Sequence, residues 1–292
     1  ECRWRDPHGE GHGSGSYYRY RALRFWHEVS IETVQSGIPP GKEFAGTLMV
    51  GVSKMQSEEV FRSDSYLKEC DAEVMYVNEL GGIILDRTIF YPTGGGQPGD
   101  TGILRLSDGS ELIIATTVKG EGDENVVHVP AEGQTAPKTG AKVTAVIDWE
   151  RRYKHMQMHT ALHLMCSVVP AGVTGNQIGS EKSRMDFDIG DYKLDKEVIA
   201  DAINALIDAD HPTNIDYITD EELDAQPEII PTMSVAPPRG AGRVRLIKIG
   251  DIDLQPCGGT HVSRTGEIGH IRVTKIESKG KRNRRVSIAF TE

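Results

Sequence analysis

The chain has 292 residues, enough for two domains at the usual size of roughly 100–200 residues each, and its 38% hydrophobic and 26% charged content is that of an ordinary globular protein. A net charge of −10 excludes nucleic-acid binding through the whole surface, and no apolar run approaches the ~20 residues that span a bilayer. The four cysteines, Cys2, Cys70, Cys166 and Cys257, have no paired spacing, which excludes a disulfide framework and fits a reducing, cytoplasmic setting.

Residues 1–54 read as a disordered or non-native extension, with Met55 as the expected physiological start. The opening is rich in Gly, His and Ser (His8 to Ser16), and Gly37-Ile38-Pro39-Pro40-Gly41 breaks any element. Residues 55–148 read as a β domain. Short β-rich runs at Ala72–Asn78, Gly82–Leu85, Thr101–Leu106, Glu111–Val118, Asn125–Val129 and Lys142–Ile147 alternate with turns, the pattern of a small β-barrel. Within it lies Gly94-Gly95-Gly96-Gln97. Three successive glycines suit backbone that passes close to another group or adopts positive φ, and no Gly-Lys-Ser/Thr follows to make a phosphate-binding loop. The segment is either a tight hairpin or a loop reaching a metal site or a nucleic-acid end.

Residues 149–292 change character. Glu150 to Val168 has the length and residue types of a helix, stopped by Pro170 and Gly172. Gly175 to Gly179 reads as a turn, Ser183–Asp188 as a strand, and Lys193–Ala209 as a helix from its apolar spacing. A short helix at Glu221–Gln226 and a Pro/Gly-rich connection from Pro231 to Gly242 follow. The last third alternates as strands at Arg243–Ile249, Ile268–Ser278 and Arg285–Phe290. This half is α+β with an antiparallel sheet.

Two pentapeptides carry the chemistry. His159-Thr160-Ala161-Leu162-His163 puts two imidazoles one turn apart on a helix face. Cys257-Gly258-Gly259-Thr260-His261 repeats the spacing nearly a hundred residues later. Together they form a complete tetrahedral donor set for one zinc ion. The bare amides of Gly258, Gly259 and Thr260 are placed to hold a substrate oxygen. His155, one turn before His159, competes as a ligand and otherwise lies beside the metal or at solvent. Thr160 stands where an HExxH peptidase needs its glutamate, so a zinc peptidase would have no general base. From Arg272 to Arg285, seven basic residues face one acid, Glu277. That strip is either a solvated turn or a contact for a polyanion touched over a limited area.

These two pentapeptides, the strip from Lys279 to Val286 and the loop Gly94–Gln97 resemble the stand-alone alanyl-tRNA editing proteins that carry a β-barrel ahead of their catalytic domain. They also resemble, more distantly, the editing domain of alanyl-tRNA synthetase. The likeness runs from about Phe61 to Phe290. It implies a small β-barrel followed by an α+β zinc-binding editing domain, with His159, His163, Cys257 and His261 as ligands of one Zn²⁺. It implies a free-standing editor of alanine tRNA mischarged with serine or glycine, acting as a monomer or homodimer. Gln177 maps onto the family's polar pocket residue and Thr174 onto its hydroxyl position, the two expected to hold the serine hydroxyl. Substrate contacts are expected from Gly94, Gly95, Gly96 and Gln97, and from Lys279, Lys281, Arg282, Arg284 and Arg285. The chief rival is a zinc-stapled RNA-binding module without catalysis, which leaves Gln97 and Gln177 idle.

Overall fold

The computed structural model describes residues 56–122, 124–190, 192–226 and 243–291; the expected extension at 1–54 and the connection from Pro231 to Gly242 lie outside them. In chain order the first half contains β1 (Glu58–Glu59), β2 (Glu69–Val77), β3 (Ile83–Leu85), β4 (Arg87–Thr88), β5 (Gly102–Leu106), β6 (Glu111–Val118), β7 (Val127–Pro130) and β8 (Lys142–Ile147). Six of them close into a barrel in the order β2-β3-β7-β6-β5-β8, while β1 and β4 pair in parallel beside it. Alternation drives the closure. In β6, Leu112 and Ile114 turn inward while Ile113 faces out, and in β8, Val143, Ala145 and Ile147 are the buried set. A closed barrel leaves no strand edge within itself to pair with another chain.

The second half begins at α1 (Trp149–Val168), capped by the Asp148 carboxylate, which accepts from the Arg151 amide. There follow β9 (Gly172–Gln177), β10 (Lys182–Asp188), α2 (Lys196–Asp208), β11 (Thr213–Ile218), α3 (Asp220–Asp224), β12 (Val244–Ile249), β13 (Asp253–Pro256), β14 (Ile271–Ser278) and β15 (Asn283–Phe290). They make a four-stranded antiparallel sheet, β14-β15-β10-β9, and a three-stranded one, β11-β12-β13. The sequence reading missed β1, β4, β9, β11 and β13. The segment read as a turn at Gly175 is in β9, paired to β10 with a bulge at Asp186/Phe187.

Helix α1 is the core of this half. Met156, Met158, Leu162 and Met165 are almost wholly buried, each burial contributing roughly 1.5–3 kcal/mol. Helix α2 covers the sheet with Ile199, Ile203 and Ile207 and leaves Val198 exposed. Two polar seams tie the halves together. Arg152 of α1, fully buried, forms an ion pair with Asp100 and donates to the carbonyls of Ser65 and Ile89 at 3.0 and 2.5 Å. Glu267 accepts from the hydroxyls of Tyr66 and Tyr153 at 2.7 and 2.9 Å. Among the described residues no helix is long and apolar enough to cross a membrane.

Candidate metal centre

His159 and His163 leave α1 on the same side, their ring centroids 5.3 Å apart. The loop after β13 brings Cys257 and His261 against them. One ligand atom from each of these four residues lies within 4.8 Å of the others. Cys257 Sγ is 3.5 Å from His159 Nε2 and 3.3 Å from His261 Nε2. Tetrahedral zinc, with bonds of about 2.0–2.3 Å, separates its ligands by roughly 3.3–3.8 Å, so a small contraction of the widest pair accommodates the ion.

The other nitrogen of every imidazole is already held. His163 Nδ1 lies 2.8 Å from Asp253 Oδ2, and Gln255 in turn donates to both oxygens of that carboxylate at 2.9 Å. His159 Nδ1 lies 2.9 Å from Gln97 Oε1. The Gln97 amide is oriented by Thr260, whose N–H donates to Oε1 at 3.2 Å and whose hydroxyl accepts from Nε2 at 2.9 Å. Thr160 donates its proton to Met156 O, so its oxygen accepts from His261 Nδ1 at 3.2 Å. Each of these partners sits at Nδ1, which leaves Nε2 to face the cluster, the arrangement that orients metal-binding histidines.

At the sulfur, charge favours metal binding. Enclosure alone would raise the Cys257 thiol, but His159 and His261 outweigh it and hold it well below its ordinary value. The thiolate is the form that binds metal. Enclosure also disfavours a charged His163, yet the Asp253 carboxylate and Cys257 overcome it and raise this imidazole to about 10.

The glycines have steric reasons. A Cβ on Gly259 would stand 2.2 Å from His159 Cε1, so only glycine lets this loop close on the imidazole. Gly96 has φ +84°, and a Cβ there would overlap Asn176 Oδ1 at 1.7 Å. Gly94 and Gln97 pair back to back, and this tight turn delivers Gln97 to the cluster. The glycine segment is a tight hairpin, and its Gln97 side chain reaches His159 of the candidate cluster. Gln97 itself is fully buried, its amide held between His159 and Thr260.

Other expectations are redistributed. His155 lies outside the four-ligand cluster and is not at solvent. It is buried, its Nδ1 has no hydrogen-bond partner among the described residues, and burial followed by the charges of Arg151 and Arg152 lowers it to about 4. Thr174 donates to Asp186 O at 3.2 Å and accepts from Asn283 Nδ2 at 2.9 Å, while the exposed Gln177 accepts from Arg184 at 3.0 Å. Neither of these side chains has a described hydrogen bond to the cluster. The Gly259 amide is directed to Cys257 Sγ and the Thr260 amide to Gln97, whereas the Gly258 amide has no partner among the described residues.

The basic strip is partly neutralised by acids on a neighbouring strand. Arg285 grips Asp186 with two bonds of 2.7 and 2.8 Å, and Arg282 pairs with Asp188 at 2.9 Å. Lys275 and Lys279 share Glu277. Arg284 bonds to Ser278 and to the carbonyls of Gly280 and Asn283, and Lys281 has no ion pair among the described residues. The sequence reading also passed over Asp253, Gln255, Arg62 and Arg245. Arg245 donates to the carbonyls of Cys257 and Gly259 at 2.7 and 3.0 Å, and Arg62 to that of Gly258 at 3.3 Å. No spacing in the chain marks these residues as neighbours of Cys257.

Comparison with known proteins covers both halves. Residues 244–287 match the family described as threonyl and alanyl tRNA synthetase second additional domain, and residues 43–151 match tRNA synthetases class II (A). The chain is 39% identical over 238 residues to the alanyl-tRNA editing protein AlaX-M of Methanosarcina acetivorans, covering 79% of this chain and 97% of that protein. It is 36% identical over 233 residues to AlaX-L of Pyrococcus horikoshii, covering 77% of this chain and 55% of that one. An alanine–tRNA ligase of Pyrobaculum neutrophilum is 35% identical over 235 residues, 76% of this chain and 25% of the ligase. With a relative 39% identical and matched over 97% of its own length, the chain belongs to the alanyl-tRNA editing protein family.

Proposed function

We propose that this chain hydrolyses the ester that joins serine, and also glycine, to alanine tRNA. The observation that carries the reading is the His159, His163, Cys257, His261 cluster with the distal nitrogen of each imidazole already held, a donor set that suits one Zn²⁺ per chain. When bound, zinc supplies Lewis-acid polarisation of an ester carbonyl or activation of water.

The residues around the cluster divide the remaining work. Arg245 accounts for the Cys257 carbonyl. The Gly258 N–H belongs to the same planar peptide and therefore points the opposite way. It is our donor for the oxyanion that forms as the ester carbonyl becomes tetrahedral. Gln177 is our reader of the serine hydroxyl. Its carbonyl oxygen is engaged by Arg184, its amide nitrogen is uncommitted among the described residues, and the adjacent Ile178 N–H bonds to Gly96 O at 2.8 Å beside Gln97. The Thr174 hydroxyl is occupied on both sides and serves the sheet. Lys281 and Arg284, outside the ion pairs of the strip, are our contacts to the tRNA backbone.

Such an enzyme answers a physical shortfall. A pocket shaped for alanine cannot strongly reject smaller glycine, or serine with one added hydroxyl, whereas a site built to bond that hydroxyl rejects its absence by roughly 10⁴-fold in the best cases. The test is release of amino acid from alanine tRNA charged with serine, glycine or alanine. Release of serine with alanine spared is expected, and glycine, which also lacks the hydroxyl, should be released more slowly than serine. Tight binding of all three by zinc-loaded protein without release would identify a non-catalytic RNA-binding module.

A further inference from the structure

Three residues on adjacent strands form one rung. Tyr217 of β11 is the pairing partner of Arg245 of β12, and Arg245 O accepts from the Cys257 N–H at 3.2 Å just beyond β13. Opposed residues of antiparallel neighbours share a face, with strands about 4.7–4.9 Å apart. The phenol, the guanidinium and the metal-ligand sulfur therefore stand in a row, roughly two strand spacings long. That row lies on the side of the sheet that sends Ile247 into the main core; α3 covers the other side through Leu223, Val244 and Leu246. At the Cys257 end the row is enclosed by the cluster. At the far end Tyr217 is 49% exposed.

Arg245 between them is unusual. It is 8% exposed, its Nε has no hydrogen-bond partner, and no carboxylate pairs with it among the described residues. A buried cation held only by carbonyls makes the space between Tyr217 and the cluster positive. The row thus runs from an open aromatic face, past a cation without a carboxylate partner, to the centre where the ester must lie.

We propose that Tyr217 is the platform on which the terminal adenine of the tRNA stacks, with its ribose spanning Arg245 and its 3′ ester at the cluster. This rests on the deacylation reading above. The base and the ester are carried by one ribose, so a base platform has to lie one sugar away from the ligands, and the rung provides that spacing. A tyrosine ring offers a face that any base can cover without base-specific hydrogen bonds.

The experiment uses full-length, zinc-loaded protein and an alanine tRNA whose terminal adenosine is replaced by 2-aminopurine riboside, which loses fluorescence when stacked. Wild type and Tyr217→Phe are expected to quench it, and Tyr217→Ala is not. In serine release, Tyr217→Ala is expected to raise KM roughly 10-fold or more with kcat little changed and full zinc content. Quenching and KM in Tyr217→Ala equal to wild type overturn the proposal, as does a KM change explained by lost zinc. If wild type quenches through Tyr217 but releases no serine, the deacylation reading fails and the platform stands.

Discussion

Gln97 Oε1 lies 2.9 Å from His159 Nδ1, so a side chain of the barrel orients a candidate metal ligand on α1. The same amide holds Thr260 of the second ligand loop. Removing it frees both motifs at once. Gln97→Ala is expected to lower zinc affinity 10–100-fold, the usual effect of deleting such a support. Competition against a chromophoric chelator measures it, and an unchanged affinity would mean that the contact is incidental.

Cys257 is the one thiolate donor of the cluster. Cys257→Ala is expected to leave less than one zinc per chain by native mass spectrometry and to abolish serine release. Wild type stripped by chelator should lose activity and regain it on reloading. Full activity of metal-free Cys257→Ala would exclude zinc chemistry altogether.

Asp100 is the counter-charge to Arg152, a fully buried guanidinium. Asp100→Ala strands that charge and is expected to cost roughly 3–5 kcal/mol in urea unfolding. Removing both charges, as in Asp100→Ala with Arg152→Met, should recover much of the loss, because the penalty belongs to the unpaired charge. Equal destabilisation by the single and double variants would show instead that packing dominates.

His128 is buried in the barrel between Thr88 Oγ1 at 2.8 Å and Ile83 O at 2.9 Å, and burial lowers it from 6.5 to about 4. Above pH 6.5 neither the folded nor the unfolded chain protonates it appreciably, and it carries no pH-dependent cost. Below 6.5 the unfolded chain takes up a proton that the folded chain refuses, so stability falls down to pH 4 and then levels, a loss of about 3 kcal/mol. Urea unfolding of wild type and His128→Phe between pH 7.5 and about 4 isolates it. The variant should show a shallower fall, and identical slopes would refute the assignment.

Arg284 and Arg285 are adjacent in sequence but differ in role. Arg285 is spent on Asp186, whereas Arg284 bonds only neutral groups among the described residues. Arg284→Glu is expected to weaken tRNA binding and reduce the slope of log affinity against log salt by about 1 or more. Arg285→Glu should chiefly lower the melting temperature, since it sets two acids face to face. The reverse ranking would mean that the ion pair opens to meet RNA.

Periodicity made most elements readable. The barrel strands alternate and α1 is long, so local pattern and fold agree. Strands β9, β11 and β13 escaped because Gly175 to Gly179, which overlaps β9, reads as a turn, Thr213–Ile218 is exposed along much of its length, and Asp253–Pro256 is four residues long. Each is a strand because a neighbour supplies the hydrogen bonds, which single-sequence patterning does not contain.

The sequence alone determined the donor set, because ligand identity is chemistry written in residue type, and two histidines at i and i+4 of a helix must share a face. It also announced a glycine loop that something had to approach. Only the tertiary structure decided that Gln97, Asp253 and Thr160 hold the three imidazoles, that Asp186 and Asp188 neutralise part of the basic strip, and that Tyr217 stands in line with Cys257. These are relations between residues as much as 101 positions apart. They are set by strand register and loop closure, quantities that exist only once the chain has folded on itself.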